Sequence, residues 1–224
     1  MTKELRKAIE ILLSVLTTPA AVLEVGSLTT KNQEELADLR PLFPKSKYVG
    51  VDMRKGPGVD VVANGEELPF KKNAFELVLC LETLEHAKEP WKVAAEIARV
   101  TAKGGVAIIS SQQNFPIHMH PADYFRYTPY GLSSLFPQFS SRLVFAISPP
   151  YMDEVKLNPQ HVLVVLWNGR PKLATNLKTA LKRREAELTM HKPYRHRLQD
   201  GWKYIRRGLA EAKFHQALSF FSTK

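Results

Sequence analysis

The sequence predicts an α/β protein built on a mostly parallel sheet of seven strands with helices on both faces. Two observations predict this class. Short apolar runs recur along the first two thirds of the chain and end in a glycine or a polar residue, as buried parallel strands do. These runs alternate with segments of helical spacing, an order that is typical of parallel sheets. The last two apolar runs are separated only by a loop, which predicts one antiparallel strand.

The first element is an amphipathic helix over residues 2–17. Leu5, Ile9 and Leu12 follow helical spacing, and Glu10 interrupts the apolar stretch that would otherwise resemble a signal peptide. Later elements follow in order: strand 21–25, a short helix near 33–40, strands 47–52, 59–63 and 75–81, helix 89–101, strand 105–111, a short helix from about 128, and strands 142–148 and 161–167. Pro90 and Gly104-Gly105 are the expected start and stop signals of the helix at 89–101.

Composition indicates a globular protein with a sizeable core, since 44% of its residues are hydrophobic. The one cysteine, Cys80, lies within an apolar run and is expected to be a buried strand residue. A single thiol cannot form an internal disulfide, so we expect a cytoplasmic location. No apolar stretch reaches the roughly 18 to 20 residues that a membrane span needs.

Charge divides the chain into two units. Residues 1–169 carry 18 Lys+Arg and 18 Asp+Glu, whereas residues 170–224 carry 14 and 4. The sequence therefore predicts a domain over 1–169 and a basic helical extension over 170–224. Such a surface attracts polyanions, so a nucleic acid or an anionic lipid surface is the expected partner of the extension. The alternative is a solvated helical face that only packs on the sheet or on a second subunit.

Four segments in the first half of the chain carry a family resemblance. They are Val22-Leu23-Glu24-Val25-Gly26-Ser27, Tyr48-Val49-Gly50-Val51-Asp52-Met53, residues 59–70 around Asn64-Gly65, and residues 75–86, which end in Leu81-Glu82-Thr83-Leu84-Glu85-His86. In this order they resemble the class I S-adenosylmethionine-dependent methyltransferases, and the resemblance extends from about residue 21 to residue 167. It implies their Rossmann-like, seven-stranded fold.

The resemblance also implies a cofactor site for S-adenosylmethionine at the carboxyl ends of the strands, where open α/β sheets bind ligands. Glu24 would anchor the first loop, and Gly26 and Ser27 would approach the methionine end. Asp52 would accept the ribose hydroxyls, and Met53 would pack on the adenine. Asn64 would face the adenine amino group, with Gly65 following it in the same cofactor-binding segment, and Leu81 would line the sulfonium channel. The family's first loop usually carries more glycines than this one.

The loop that follows the fifth strand holds the candidate acceptor residues. Residues 118–126 read His-Met-His-Pro-Ala-Asp-Tyr-Phe-Arg, which is similar to a segment of a bacterial methyltransferase subgroup often associated with cell-surface glycans. One interpretation makes His118 or His120 the general base, with Asp123 orienting it and with Tyr124 and Arg126 binding substrate. The others are a divalent metal bound by His118, His120 and Asp123, and a structural lid whose polar groups bond to backbone. We expect no resident metal.

Three polar residues after the fourth strand are expected to be structural. His86 should bond locally at a helix start, and Glu82 and Glu85 should be solvated or bonded to loops. The resemblance therefore implies a methyltransferase, and we expect O-methylation of a glycan or another hydroxylated small molecule. The alternatives are a nucleic-acid methyltransferase that uses the basic extension, and a methyltransferase-like scaffold without catalysis.

Overall fold

The computed structural model describes residues 1–30, 33–119, 121–147, 160–170, 172–173, 175–177 and 179–180. Its elements are α1 (Lys3–Leu13), β1 (Ala21–Val25), α2 (Glu34–Ala37), β2 (Lys47–Asp52), β3 (Val61–Val62), β4 (Phe75–Leu81), α3 (Pro90–Val100), β5 (Thr101–Gln112), α4 (Pro129–Ser134), β6 (Ser141–Ile147) and β7 (His161–Trp167). Short 3-10 turns lie at Arg40–Leu42 and Leu84–His86.

The strands form one sheet in the order β3-β2-β1-β4-β5-β7-β6. Strands β1 to β5 are parallel, and β7 runs antiparallel to both β5 and β6. The predicted fold class, a seven-stranded mostly parallel sheet with helices, is therefore confirmed. Because β7 is antiparallel, its first residue lies at the same edge as the last residues of β1, β4 and β5, and this edge carries the candidate site.

Each face of the sheet packs its own apolar layer. Helix α3 buries Val93, Ala94 and Ile97 against one face. Helix α1 buries Leu5, Ile9 and Leu12 against the other, as its spacing predicts. Cys80 is fully buried in β4, and burial raises the pKa of its thiol, so it is the structural strand residue that the sequence predicts.

Several element boundaries differ from the sequence-based prediction. Helix α1 ends at Leu13 rather than at residue 17, and the helix expected over 33–40 is one turn, Glu34–Ala37, with none of its residues buried. Strand β3 is only two residues long, whereas β5 begins at Thr101 and pairs with Phe75 across a register shift. The short elements bury too little apolar surface to extend further.

The basic extension lies largely outside the described residues, and so do most of the side chains that give it its charge. At its start, Leu173 and Leu177 are buried in the same apolar layer as α1. Among the helices of the described part of the chain, none is long and apolar enough to cross a membrane.

Candidate active site

The first loop leaves β1 through Gly26, which has a φ of +81°. A Cβ built on Gly26 would overlap the side chain of Thr83, whose hydroxyl donates to the carbonyl of Leu81 at 3.0 Å. Glycine is therefore required here by its backbone conformation and by Thr83. The next residue, Ser27, is buried, and its hydroxyl oxygen has no partner among the described residues. The roles of Gly26 and Ser27 toward a cofactor stay predictions.

Glu24 lies inside the sheet beside this loop. The hydroxyl of Tyr48 donates to Glu24 Oε2 at 2.7 Å. Burial raises the pKa of Glu24 to about 7, although the bond from Tyr48 and the nearby Arg40 act against the increase. Glu24 is thus held within β1 by Tyr48 of β2, which suits an anchor for the loop that begins two residues later.

Asp52 ends β2 directly beside the end of β1. The Gly26 N–H donates to the carbonyl of Val51 at 2.8 Å, which joins the two strand ends. Asp52 Oδ1 accepts the Arg54 N–H at 2.9 Å, while Oδ2 takes part in no hydrogen bond within the described residues. Met53 follows with 68% of its surface exposed. A free carboxylate oxygen beside an exposed thioether is compatible with a ribose diol and an adenine ring.

The other predicted cofactor residues are engaged in contacts within the domain or are buried. Asn64 Oδ1 accepts the N–H of Glu66 at 3.0 Å. A Cβ on Gly65 would come within 3.3 Å of Val25 and 3.5 Å of Val93, so its small size serves packing inside the domain. Leu81 is buried at the end of β4, next to the end of β1. Their contacts with a cofactor stay predictions.

The loop after β5 is fastened by Asp123 and Arg126. Arg126 donates from Nη1 to Asp123 Oδ1 at 2.6 Å and from Nη2 to Oδ2 at 2.7 Å. Its other three N–H groups go to the carbonyls of Phe115, Pro116 and Phe125. The pKa of Asp123 is held far below its usual range, chiefly by Arg126. All five guanidinium N–H groups are thus used inside the loop, and this geometry is that of a structural clamp.

His118 is held in the same loop. Its backbone N–H donates to Asp123 Oδ2 at 2.8 Å, and its Nδ1 lies 3.3 Å from the same oxygen. Its ring contacts that of His86 edge to face, with centroids 4.7 Å apart. His120 lies outside the described residues. Tyr124 has 49% of its surface exposed, so its phenol is open to a ligand. Catalytic or substrate-binding roles for these residues and Arg126 stay predictions.

His86 connects the 3-10 turn after β4 to this loop by a hydrogen bond. Its Nδ1 donates to the carbonyl of Ala122 at 2.6 Å, and burial lowers its pKa. A structural role was expected for His86, but its partner lies in the loop 36 positions along the chain and not at the local helix start. Atoms of Glu85, His86 and His118 that could bind a metal lie within 4.8 Å of one another. This set differs from the predicted alternative of His118, His120 and Asp123, and in it Nδ1 of His86 is already committed to Ala122.

A buried polar cluster at the same edge was not predicted. Glu85 is fully buried, accepts a hydrogen bond from Ser111 at 2.6 Å, and has its pKa raised to about 8 by burial and by the charge of Glu82. Glu82 contacts Ser110 and His161. The expectation that Glu82 and Glu85 are solvated or bonded to loops is therefore wrong for both side chains, whose partners lie on strands β5 and β7. The available signal was the polar run Ser110-Ser111-Gln112, which ends an otherwise apolar strand.

S-adenosylmethionine fits the donors and acceptors of this edge. Its ribose hydroxyls need an acceptor such as Asp52 Oδ2, its adenine needs an apolar partner such as Met53, and the Ser27 hydroxyl is a buried group without a partner in the described chain. When bound, the cofactor would supply an activated methyl group, and the protein's part would be to hold it and to orient an acceptor.

Comparison with known proteins gives the same assignment. A sequence model of the methyltransferase domain matches residues 23–109. An uncharacterized methyltransferase of Mycobacterium marinum is 42% identical over 55 residues, which is 25% of this chain and 22% of that protein. The match thus spans less than a quarter of this curated relative.

Solved structures share the fold over about three quarters of the chain. An S-adenosylmethionine-dependent methyltransferase from Archaeoglobus fulgidus aligns with a TM-score of 0.55 and 14% identity, over 72% of this chain and 92% of its own. A 1,6-didemethyltoxoflavin-N1-methyltransferase from Burkholderia thailandensis, with bound S-adenosylhomocysteine, aligns with a TM-score of 0.52 and 18% identity, over 75% and 79%. Together with the sheet order, these likenesses show that the chain has the fold of S-adenosylmethionine-dependent methyltransferases, and that residues 23–109 match the sequence model of a methyltransferase domain.

Proposed function

We propose that this protein transfers a methyl group from S-adenosylmethionine to a hydroxyl group of a glycan or of another hydroxylated small molecule. The observation that carries the proposal is the composition of one sheet edge. The carboxylate of Asp52, whose side chain is 12% exposed, and the exposed Met53 lie at one part of it, and the buried side chains of Glu85 and His161 lie at another. A neutral hydroxyl needs a nearby proton acceptor before it becomes a good nucleophile.

The loop over residues 115–127 supports an acceptor of this class. The N–H groups of Tyr124 and Phe125 donate to the carbonyl of Glu85, so the loop lies directly over the buried polar cluster. Exposed Phe115 and Tyr124 offer flat apolar faces with one phenol hydroxyl, which suits the mixed surface of a sugar. In this proposal His118 and His120 remain candidate bases, with Asp123 orienting His118.

The test combines cofactor binding with methyl transfer. Calorimetry with S-adenosylmethionine should give micromolar affinity, and labelled methyl should pass from the cofactor to at least one of a panel of methyl glycosides. His118→Ala and His120→Ala should lower turnover while cofactor affinity stays within a few-fold. Full activity of both variants would leave the loop with a lid role only, and no transfer to any probe by the wild-type protein would exclude this acceptor class.

A binding scaffold without catalysis is the second candidate function. It is favoured by the first loop, which has no further glycine between Gly26 and Lys31, and by the side chain of Thr83, which occupies the space beside Gly26. Calorimetry distinguishes the scaffold from the enzyme. A scaffold that no longer binds S-adenosylmethionine gives no heat when it is titrated with this cofactor. The matched variant Thr83→Ala should then restore or strengthen binding.

The basic extension adds a proposed partner. Residues 181–224 carry 11 Lys+Arg and 4 Asp+Glu, and we propose that they give the protein affinity for a polyanion in the cytoplasm. A nucleic acid as the methyl acceptor is the corresponding alternative, and duplex oligonucleotides belong in the same transfer assay.

A further inference from the structure

A pair of ionisable side chains joins the tip of β4 to the start of β7. His161 Nδ1 lies 2.8 Å from Glu82 Oε2, and the hydroxyl of Ser110 donates to Glu82 Oε1 at 2.7 Å. His161 is only 2% exposed. Glu82 has a φ of +51°, an uncommon backbone conformation for a residue with a side chain. Strained backbone of this kind is often kept where function requires the side chain's position.

The hydrogen bonds fix the proton positions in this pair. Burial raises the pKa of Glu82, but the bonds from His161 and Ser110 outweigh burial and bring the pKa below its ordinary value. Glu82 is therefore a carboxylate that can only accept, and the proton of the short contact belongs to His161 Nδ1. In the neutral ring the other nitrogen, Nε2, then carries a lone pair.

No described residue donates a hydrogen bond to this lone pair. Nε2 of His161 is buried and without a partner among the described residues, and the same is true of Gln112 Oε1 and Glu85 Oε1. His161 Nε2 and Gln112 Oε1 are acceptor atoms, and all three atoms belong to residues at the carboxyl edge of the sheet. Buried acceptors are normally satisfied. A ligand that brings hydroxyl donors to this edge would satisfy them.

The register places the pair next to the cofactor edge. Gln112 of β5 pairs with His161 of β7, and Leu81 of β4 pairs with Ser110 of β5. Val25 of β1 pairs with Cys80 of β4, so Glu82 follows a strand whose neighbour leads into Gly26 and Ser27. The imidazole thus belongs to the sheet itself, whereas His118 belongs to a loop that lies on it.

We propose that His161 is the general base of the methyl transfer and that Glu82 is its positioning residue. This inference rests on the proposed function. As the acceptor oxygen forms its bond to the methyl carbon, its proton passes to His161 Nε2. The carbon–sulfur bond breaks with its electron pair on sulfur, and nothing is oxidised or reduced. Glu82 fixes the Nδ1–H tautomer and stabilises the imidazolium that forms.

The first test needs no acceptor and no turnover. Long-range proton–nitrogen NMR spectra of the 15N-labelled full chain at pH 7.5 report which ring nitrogen of His161 carries the proton, with His161→Gln as the assignment variant. We expect Nδ1–H and an unprotonated Nε2. Glu82→Gln should change this tautomer balance, whereas Glu35→Gln, an exposed control, should not. A proton on Nε2 of the neutral ring overturns the assignment.

The second test uses the methyl glycoside that the wild-type protein methylates best. His161→Gln should lower kcat at least 100-fold, within the range of general-base catalysis, while KM and cofactor affinity stay within threefold. Imidazole should restore part of the activity of His161→Ala, and His191→Gln serves as the matched control. Near wild-type kcat in His161→Gln and in His161→Asn overturns the proposal, most directly if His118→Ala or His120→Ala is inactive.

The two tests separate the two proposals. If the wild-type protein binds S-adenosylmethionine but methylates no probe, the proposed acceptor class fails, and the NMR result alone decides whether His161 can act as a base. If the wild-type protein is active and the His161 variants keep its kcat, the function stands and the base lies elsewhere.

Discussion

At the residue scale, Asp52 is the most direct test of the cofactor site. Its Oδ2 is free of described hydrogen bonds at the end of β2, beside the ends of β1 and β3. Loss of hydrogen bonds to a charged group costs about 1.5–3 kcal/mol. We therefore expect Asp52→Ala to weaken S-adenosylmethionine binding by roughly tenfold to a hundredfold, measured by calorimetry. Glu76→Ala, at an exposed carboxylate near the opposite end of β4, should leave the affinity unchanged, and unchanged affinity in Asp52→Ala would remove Asp52 from the site.

Glu24 gives a prediction about stability and pH. Its pKa is raised from 4.5 to about 7 in the folded protein, mainly by burial. Between these two values the folded state holds a proton that the unfolded chain has released. The free energy of unfolding from this group therefore falls as pH rises from 4.5 to 7, by about 3 kcal/mol at most.

Glu24→Gln should remove this pH dependence, because an amide keeps an acceptor for Tyr48 and cannot ionise. We expect the variant to unfold at higher denaturant concentration than the wild type at pH 8 and to show a flatter profile between pH 5 and 8. Chemical denaturation at several pH values measures both. The exposed Glu35→Gln is the control, and a Glu24→Gln profile as steep as that of the wild type would contradict the prediction.

Residues that directly follow a strand could be placed from the sequence, whereas residues that meet across the sheet could not. Asp52 and Gly26 lie at the predicted edge because the strand runs before them are unambiguous. The pair of Glu82 and His161 is separated by 79 positions, and it depends on the register of β5 with β7 and on the positive φ of Glu82. Neither property has a sequence signal that is visible in one chain.

At the element scale, the loop over residues 115–126 depends on the Asp123–Arg126 pair. Arg126→Lys keeps the charge but cannot make two parallel bonds to Asp123 and three to backbone carbonyls. We expect hydrogen exchange at the His118 amide, which donates to Asp123, to become about tenfold faster or more, since such bonds are worth about 1.5–3 kcal/mol. Cofactor affinity should change little.

Arg99→Lys is the matched control for this experiment. Arg99 also binds a carboxylate three positions away, Glu96, and it donates to the carbonyls of Leu68 and Phe70. It lies on α3, away from the loop, so exchange at the His118 amide should not respond. If Arg126→Lys also leaves this exchange unchanged, the pair does not hold the loop.

Elements with a strong apolar pattern were predicted within a few residues, and weak ones were not. Strands β1, β2, β4 and β7 have the predicted limits, because each is a dense apolar run. Helix α2 is shorter than predicted and spans only Glu34–Ala37, where no side chain is buried to stabilise a longer helix. Strand β5 starts earlier than predicted because Thr101 pairs with Phe75 before Gly104, whose φ is +72°.

At the scale of the whole molecule, we propose two separable roles for the last quarter of the chain, one in the core and one in polyanion binding. Leu173 and Leu177 are buried in the layer that α1 also covers, so the start of the extension contributes to the core. The basic residues that follow from Lys182 onward give the chain most of its net charge of +10. A positive segment of this kind attracts polyanions over a range of about 8 Å at physiological salt.

Two truncations therefore should behave differently. Removing residues 181–224 should preserve the melting temperature and S-adenosylmethionine binding but sharply reduce retention on heparin, which in the full-length protein should weaken with salt. Removing residues 171–224 also deletes Leu173 and Leu177, and two lost buried leucines cost about 3–6 kcal/mol, so this variant should melt at a clearly lower temperature. Heparin retention that survives the shorter truncation would assign polyanion binding to the domain itself. Unfolding after the shorter truncation would make the basic segment part of the fold rather than a recruiting surface.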